Sequence, residues 1–205
     1  MESATVQEPK LSMILPNTFL RFLEKEDHAE SFIAGKVRFG RLDYYKTMED
    51  SRRDETEGTA AFDWSTGSPI HYEGVSLNSH FLLCTAHPES DRSVLVERFG
   101  SYIVRINDPI ALLKRINAVW RADSRASGLC VIHPVEYNKG EALEPTPFLI
   151  PPTNYSYCQK PRMPFEIERE FRYVLTCKVD TDRASRDQPV WITLPDCSDI
   201  CEKDY

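Results

Sequence analysis

Glu166, Glu168, Glu170 and Arg172 alternate with Ile167, Phe171, Tyr173 and Leu175 in the stretch Phe165–Leu175. A period of two is that of a strand with one buried face, so the three carboxylates and the arginine share the other face. Charged side chains in a row do not help a core. They either sit in water, cross-paired, or they line a site, where a carboxylate steadies a positive charge or takes a proton. A site needs answering groups from elsewhere in the chain. Arg21 is one candidate, because it interrupts the apolar run Thr18–Leu23, where a charge must be paired or face a cleft. Thr85 is another. It falls on the Phe81 and Leu83 side of the run Phe81–Ala86, and its hydroxyl either satisfies backbone groups or orients an arginine or a ribose hydroxyl. For Arg21 the plain alternative is a structural ion pair with one of the late glutamates.

Other groupings are weaker. Arg41–Thr59 is dense in mixed charge, with Tyr44-Tyr45 followed by Glu49, Asp50, Arg52, Arg53, Asp54 and Glu57. The two tyrosines are either ordinary packing or an aromatic wall for a flat ring. Glu49, Asp50 and Asp54 resemble a divalent-ion set, but Arg52 and Arg53 neutralise much of that charge. His80, Cys84 and His87 have zinc-like residue types. On a strand, however, their spacings of four and three point the pairs differently, which argues against a metal. The eight glycines form neither a Walker nor a Rossmann pattern.

The elements that must position these groups follow from periodicity. Strands are expected at Thr18–Leu23, Lys36–Phe39, Phe81–Ala86, Tyr102–Ile106, Gly128–Tyr137, Phe165–Leu175 and Val190–Leu194. Helices are expected at Glu24–Ala34, Ser93–Phe99 and Pro109–Arg121, with Gly35 stopping the first and Pro109 opening the third. Residues 60–79 and the proline-rich stretch 141–164 read as loop, with a helical turn near Asn154–Gln159. Short strands interspersed with a few helices make an α+β fold. No repeat or low-complexity linker divides the chain. The reading is therefore a polar lead-in (residues 1–17), one domain (18–195) and an acidic tail (196–205).

A chain of 205 residues with 41% hydrophobic and 28% charged residues is an ordinary globular composition. No run of about 18 apolar residues suggests a membrane span, and the N-terminus has no secretory pattern. A cytoplasmic protein with six reduced cysteines is expected. The net charge of −7 disfavours broad binding to phosphate backbones, leaving local patches at Arg52-Arg53 and Lys160–Arg162.

In order along the chain, an arginine in the first strand, a small hydroxyl residue in a middle strand and Glu-x-Glu on a late strand resemble the ADP-ribosyltransferase superfamily, in its Arg–Ser–Glu branch. More closely, TFLRFL, VRFGRLDYYKTMED-x-RRD-x-x-EGT, FLLCTA and the YCQKP…FEIEREFR block look like a group of small bacterial proteins tied to abortive phage resistance and toxin–antitoxin loci. The likeness runs over Thr18–Thr176. One departure is Cys84-Thr85-Ala86, where the superfamily usually shows Ser-Thr-Ser.

The resemblance implies a split β-sandwich with a few flanking helices, NAD as co-substrate without a metal, and transfer of ADP-ribose to a macromolecular acceptor. It assigns Glu170 to the ribose cation and 2′-hydroxyl, and Glu168 to the acceptor's orientation or proton. Arg21 would hold the pyrophosphate or ribose, Thr85 would position Arg21 and Glu170, and Tyr44 or Tyr45 would stack on nicotinamide. Arg53, Asp54 and Glu57 would order the loop above the pocket. The acceptor is left open between RNA, DNA and protein, and an antitoxin is a natural partner. Two other classes stand beside this one. The first is a non-catalytic relative that binds an antitoxin or a phage protein; the second is a nuclease using the acidic cluster at 49–57.

Overall fold

The computed structural model describes residues 15–42, 59–63, 69–73, 80–137, 158, 160, 162–178 and 188–204. Its elements are β1 (Phe19–Leu23), α1 (Glu26–Ile33), β2 (Lys36–Arg41), β3 (Thr59–Asp63), β4 (Pro69–Glu73), β5 (His80–Ala86) and α2 (Arg92–Phe99). They continue with β6 (Tyr102–Ile106), α3 (Pro109–Trp120), β7 (Val131–Pro134), α4 (Arg162–Phe165), β8 (Glu170–Thr176), β9 (Val190–Thr193) and β10 (Cys201–Lys203). The fold is α+β, built on one eight-stranded antiparallel sheet, with β3 and β4 forming a separate pair. The latter is a correction, since residues 60–79 read as loop.

The sheet forks. One edge of β5 pairs with β8 along its whole length, from His80↔Thr176 to Ala86↔Glu170. The other edge is shared: β2 takes one end through Gly40↔Leu82 and Arg41↔Phe81, and β1 takes the other through Leu20↔Ala86. From that fork one branch runs β1–β6–β10 and the other runs β2–β9. β7 closes the far side against β8.

Apolar residues of the sheet form the core together with α1 and α3. Phe19, Val37, Phe39, Leu83, Tyr173 and Leu175 meet Ala29 and Phe32 of α1, and Leu112, Ile116 and Trp120 of α3. Phe19 stacks on Phe171 at 4.7 Å, and the Tyr173 hydroxyl donates to the Pro109 carbonyl at 3.0 Å. Asp91 and Asp108 cap α2 and α3, accepting from the backbone of Ser93 and Ala111. Gly35 ends α1 at φ +88, and a Cβ there would lie 2.5 Å from the Leu194 carbonyl oxygen. Only glycine admits both that backbone angle and that approach of β9.

Two further expectations change. Cys201–Lys203, assigned to an acidic tail, is the edge strand β10 on β6. Asp204 beyond it accepts from Arg92 at 2.9 Å and Arg105 at 2.7 Å. Second, the late strand starts at Glu170 and not at Phe165; Arg162–Glu168 is helical apart from a kink at Met163 and Pro164. Among the described residues no helix is long and apolar enough to cross a membrane.

Candidate functional site

The fork leaves a gap in the ladder. Cys84 lies on β5 between Leu82, which β2 pairs, and Ala86, which β1 pairs, so neither branch meets its carbonyl. Arg21 fills that place: its Nη1 donates to the Cys84 carbonyl oxygen. By alternation Arg21 leaves β1 on the Phe19 and Leu23 side, and its guanidinium reaches back into the fork. Its Nε is buried with no hydrogen-bond partner among the described residues. A cavity of about 360 Å³ occupies the fork. It is lined by Arg21, Cys84, Thr85, Glu168, Glu170 and Arg172, and at its rim by Arg38 of β2 and His28 of α1.

Glu168 and Glu170 reach this cavity by different routes. Glu170 opens β8, whereas Glu168 ends the helical turn before it. Arg169 between them is left-handed, at φ 42 and ψ 52. That conformation is costly for a long side chain, and here it turns the chain so that both carboxylates face inward. The turn is pinned from outside, with the Ser90 hydroxyl donating to the Glu168 carbonyl at 3.3 Å and the His87 N–H to the Arg169 carbonyl at 3.1 Å.

Glu166 is exposed, but the rest of the charged row does not sit in water. Glu168, Glu170 and Arg172 are 3%, 5% and 1% exposed, whereas Ile167, assigned to the core, is 38% exposed. Of the two readings of the charged row, water or a site, Glu168, Glu170 and Arg172 take the second, while Phe171, Tyr173 and Leu175 keep the core face. β8 pairs with β5 and β7 at its two edges, and side chains on both its faces are buried, so period two cannot tell which face is wet.

Three cations satisfy the two carboxylates. Arg172 Nε donates to Glu170 Oε1 at 2.8 Å. Lys160 Nζ lies 2.7 Å from Glu170 Oε2 and 2.8 Å from Glu168 Oε2. Arg98 of α2 approaches Glu168 Oε1 at 3.3 Å. Burial pushes the Glu170 carboxyl up, but Arg172 and Lys160 together outweigh it and hold the group well below the usual carboxylate range. For Glu168 burial wins, against the pull of Lys160 and with Glu170 adding to it, so its proton is held more tightly than normal. The environments push two neighbouring carboxyls apart, one fixed as an anion and one poised to carry a proton.

Thr85 lines the cavity, but its side chain stands on the core side of β5, where its hydroxyl donates to the Phe171 carbonyl at 3.0 Å. The cavity side of β5 belongs to Cys84, which lies opposite Arg172 in register and hydrogen-bonds the Glu170 carboxylate. Burial, and then Glu170, push the Cys84 thiol up to about 12, so it is a neutral donor and not a thiolate nucleophile. Tyr44, Tyr45, Arg53, Asp54 and Glu57, and with them the acidic cluster at 49–57, lie outside the described residues.

Lys160 is the residue that sequence reading misplaced. Expected on a surface patch, it is 8% exposed, lies 5.0 Å from the Phe165 ring, and is tied through its backbone N–H to the Glu136 carbonyl at 3.0 Å. Tyr137, next in the chain, accepts the Glu170 backbone N–H at its hydroxyl at 2.8 Å and so braces the start of β8. Among the described residues, no three His, Cys, Asp or Glu side chains gather to hold a metal ion. No family model, curated protein or solved structure matches the chain.

Proposed function

We propose that the chain is an ADP-ribosyltransferase that cleaves NAD⁺ and passes ADP-ribose to a macromolecule, acting in the cytoplasm as a toxin or effector of bacterial phage defence. The observation that carries this reading is the convergence of Arg21, Glu168 and Glu170 on one cavity, with the two carboxyls held in opposite protonation tendencies. The forked sheet, with a cavity at the split, fits the split β-sandwich expected of that superfamily.

Arg21 offers the ribose or phosphate a planar, permanently charged donor fork. The Glu170 anion balances the positive charge that builds on the ribose as the C1′–N bond breaks and nicotinamide leaves with the bonding pair. The acceptor's lone pair then forms the new bond to C1′, and its proton passes to Glu168. Lys160, Arg172 and Cys84 hold Glu170 in place throughout. The cavity volume lies at the low end for ligand pockets and suits the reactive half of the dinucleotide.

One observation favours a second reading. Arg172 grips both oxygens of Glu170, Nε on Oε1 at 2.8 Å and Nη2 on Oε2 at 3.3 Å, and Lys160 adds a second cation on Oε2, so its charge is already answered inside the protein. A fold that uses these pairs only as structure would be a non-catalytic relative that binds a partner such as an antitoxin.

The test is incubation with cell lysate and NAD⁺ labelled in its adenylate half, followed by separate protease and nuclease digestion. Label transferred by the wild-type protein and lost in Glu170→Gln supports the transferase, and the digestion names the acceptor class. A folded protein that transfers no label and consumes no NAD⁺ refutes it.

A further inference from the structure

Through Arg38, which lines it, the cavity borders a strip of sheet that the chemistry above does not use. On β2, Lys36 and Arg38 alternate with buried Val37 and Phe39, and both charged side chains are exposed. On β9, Trp191 and Thr193 alternate with buried Val190 and Ile192. The register sets Arg38 against Trp191 and Lys36 against Thr193, so these four share one face of the ribbon. That face is the cavity's own: Gly40 follows Arg38 on it, and Gly40 lies opposite Leu82, which shares a side of β5 with Cys84. Continuing the register from Gly40↔Leu82 brings Arg38 level with Cys84 across the fork. A single transverse row therefore runs Trp191, Arg38, the cavity, Cys84, Arg172.

Trp191 is 54% exposed, the most exposed aromatic of the described core strands, and it stands one strand spacing from a cavity-lining arginine. An indole laid open beside a guanidinium is a platform for a flat base with a phosphate at its edge. We propose that Arg38 and Trp191 form the subsite for the adenylate half of the dinucleotide, Trp191 under the adenine and Arg38 on the phosphates, with the nicotinamide-ribose half in the fork. From Trp191 across β2 to β5 is two strand spacings, roughly 10 Å, plus the width of the fork, a span that calls for a ligand with two rings joined by a charged linker. Lys36, two residues from Arg38 on the same face, adds to the anion-attracting character of the strip.

This subsite rests on the transferase reading, and calorimetry on the full chain separates the two. The probes are ADP-ribose, nicotinamide mononucleotide and a single-stranded oligonucleotide. ADP-ribose binding is expected to weaken on the order of tenfold or more in Trp191→Ala, to be largely kept in Trp191→Phe, and to weaken similarly in Arg38→Gln. Binding of nicotinamide mononucleotide should stay within about twofold in Trp191→Ala, because that probe does not reach β9. ADP-ribose affinity unchanged in Trp191→Ala overturns the subsite while leaving NAD⁺ turnover, and so the transferase reading, untouched. Absence of ADP-ribose binding by wild type also overturns it. Oligonucleotide binding that depends on Trp191 where ADP-ribose binding does not assigns the strip to nucleic acid and overturns it too. Trp191-dependent ADP-ribose binding in a protein that never consumes NAD⁺ upholds the subsite and removes the transferase.

Discussion

Replacing Lys160 by methionine removes the ammonium shared by Glu168 and Glu170 at 2.8 and 2.7 Å and keeps most of the side chain's volume. Breaking a buried ion pair from one side typically costs about 3–5 kcal/mol. Here the lower end applies, about 3 kcal/mol near pH 7.5, because Arg98 still faces Glu168 and Arg172 still faces Glu170. For a chain of this size that lowers Tm by roughly 6–12 °C. The penalty depends on pH in a definite direction. Glu170 is depressed in the folded state, so its stabilising contribution is present at neutral pH and lost only as pH falls through its folded value. Glu168 is raised, so the folded protein holds its proton more tightly than the unfolded chain, and stability falls as pH rises through its folded value. Without Lys160, Glu168 rises further. The variant's deficit is therefore smaller at pH 5 than at pH 7.5. Urea titrations of both proteins at both pH values measure this. A deficit below about 1 kcal/mol at pH 7.5, or an equal deficit at the two pH values, refutes the claim that Lys160 neutralises a buried carboxylate pair.

Other predictions follow from the same geometry. Glu168→Gln should keep nicotinamide release largely intact while lowering transfer to the acceptor about 10²-fold or more, since it removes a proton acceptor and not the ribose anion; equal losses in both would deny the division of labour. Cys84, a buried thiol with its proton held to about pH 12, should resist iodoacetamide at pH 8 in the native protein and react once urea unfolds it; mass spectrometry of the labelled peptide decides this. Asp204→Ala should lower stability by about 1–3 kcal/mol in urea titration, because Arg92 and Arg105 both lose a carboxylate at the β10 edge. No change would mean that the C-terminal residues are a tail after all.

Much of the scaffold was legible because its strands and helices carry clean periods. β1, β5, β6, α1 and α3 lie within a residue or two of where apolar spacing, Gly35 and Pro109 set them. The one anomalous residue in β1, Arg21, marked the fork, because a charge inside an apolar strand has to be answered somewhere. The failures have physical causes. Alternation along β8 separated two sets of side chains but could not by itself decide whether the charged set meets water or a site, because both faces of β8 are covered. The left-handed Arg169, which aims both glutamates inward, leaves no trace in residue type, since glycine is the usual signal there. Lys160 sits in a proline-rich stretch and a lone lysine there reads as surface; only the two buried carboxylates around it explain its burial. At Cys84-Thr85 the alternation was read correctly, with Thr85 beside Leu83. The resemblance nonetheless drew the function to the hydroxyl, where the cavity-facing side chain is the thiol.

Nicotinamide release from NAD⁺ tests the central claim most directly. Chromatography of wild-type protein with NAD⁺ and its acceptor-containing lysate is expected to show nicotinamide accumulating, and Glu170→Gln, with an unchanged far-UV spectrum, should lower that rate by about 10²-fold or more. A rate in Glu170→Gln equal to wild type, or no nicotinamide from the folded wild-type protein, contradicts the assignment of the fork cavity as the place where the bond is broken.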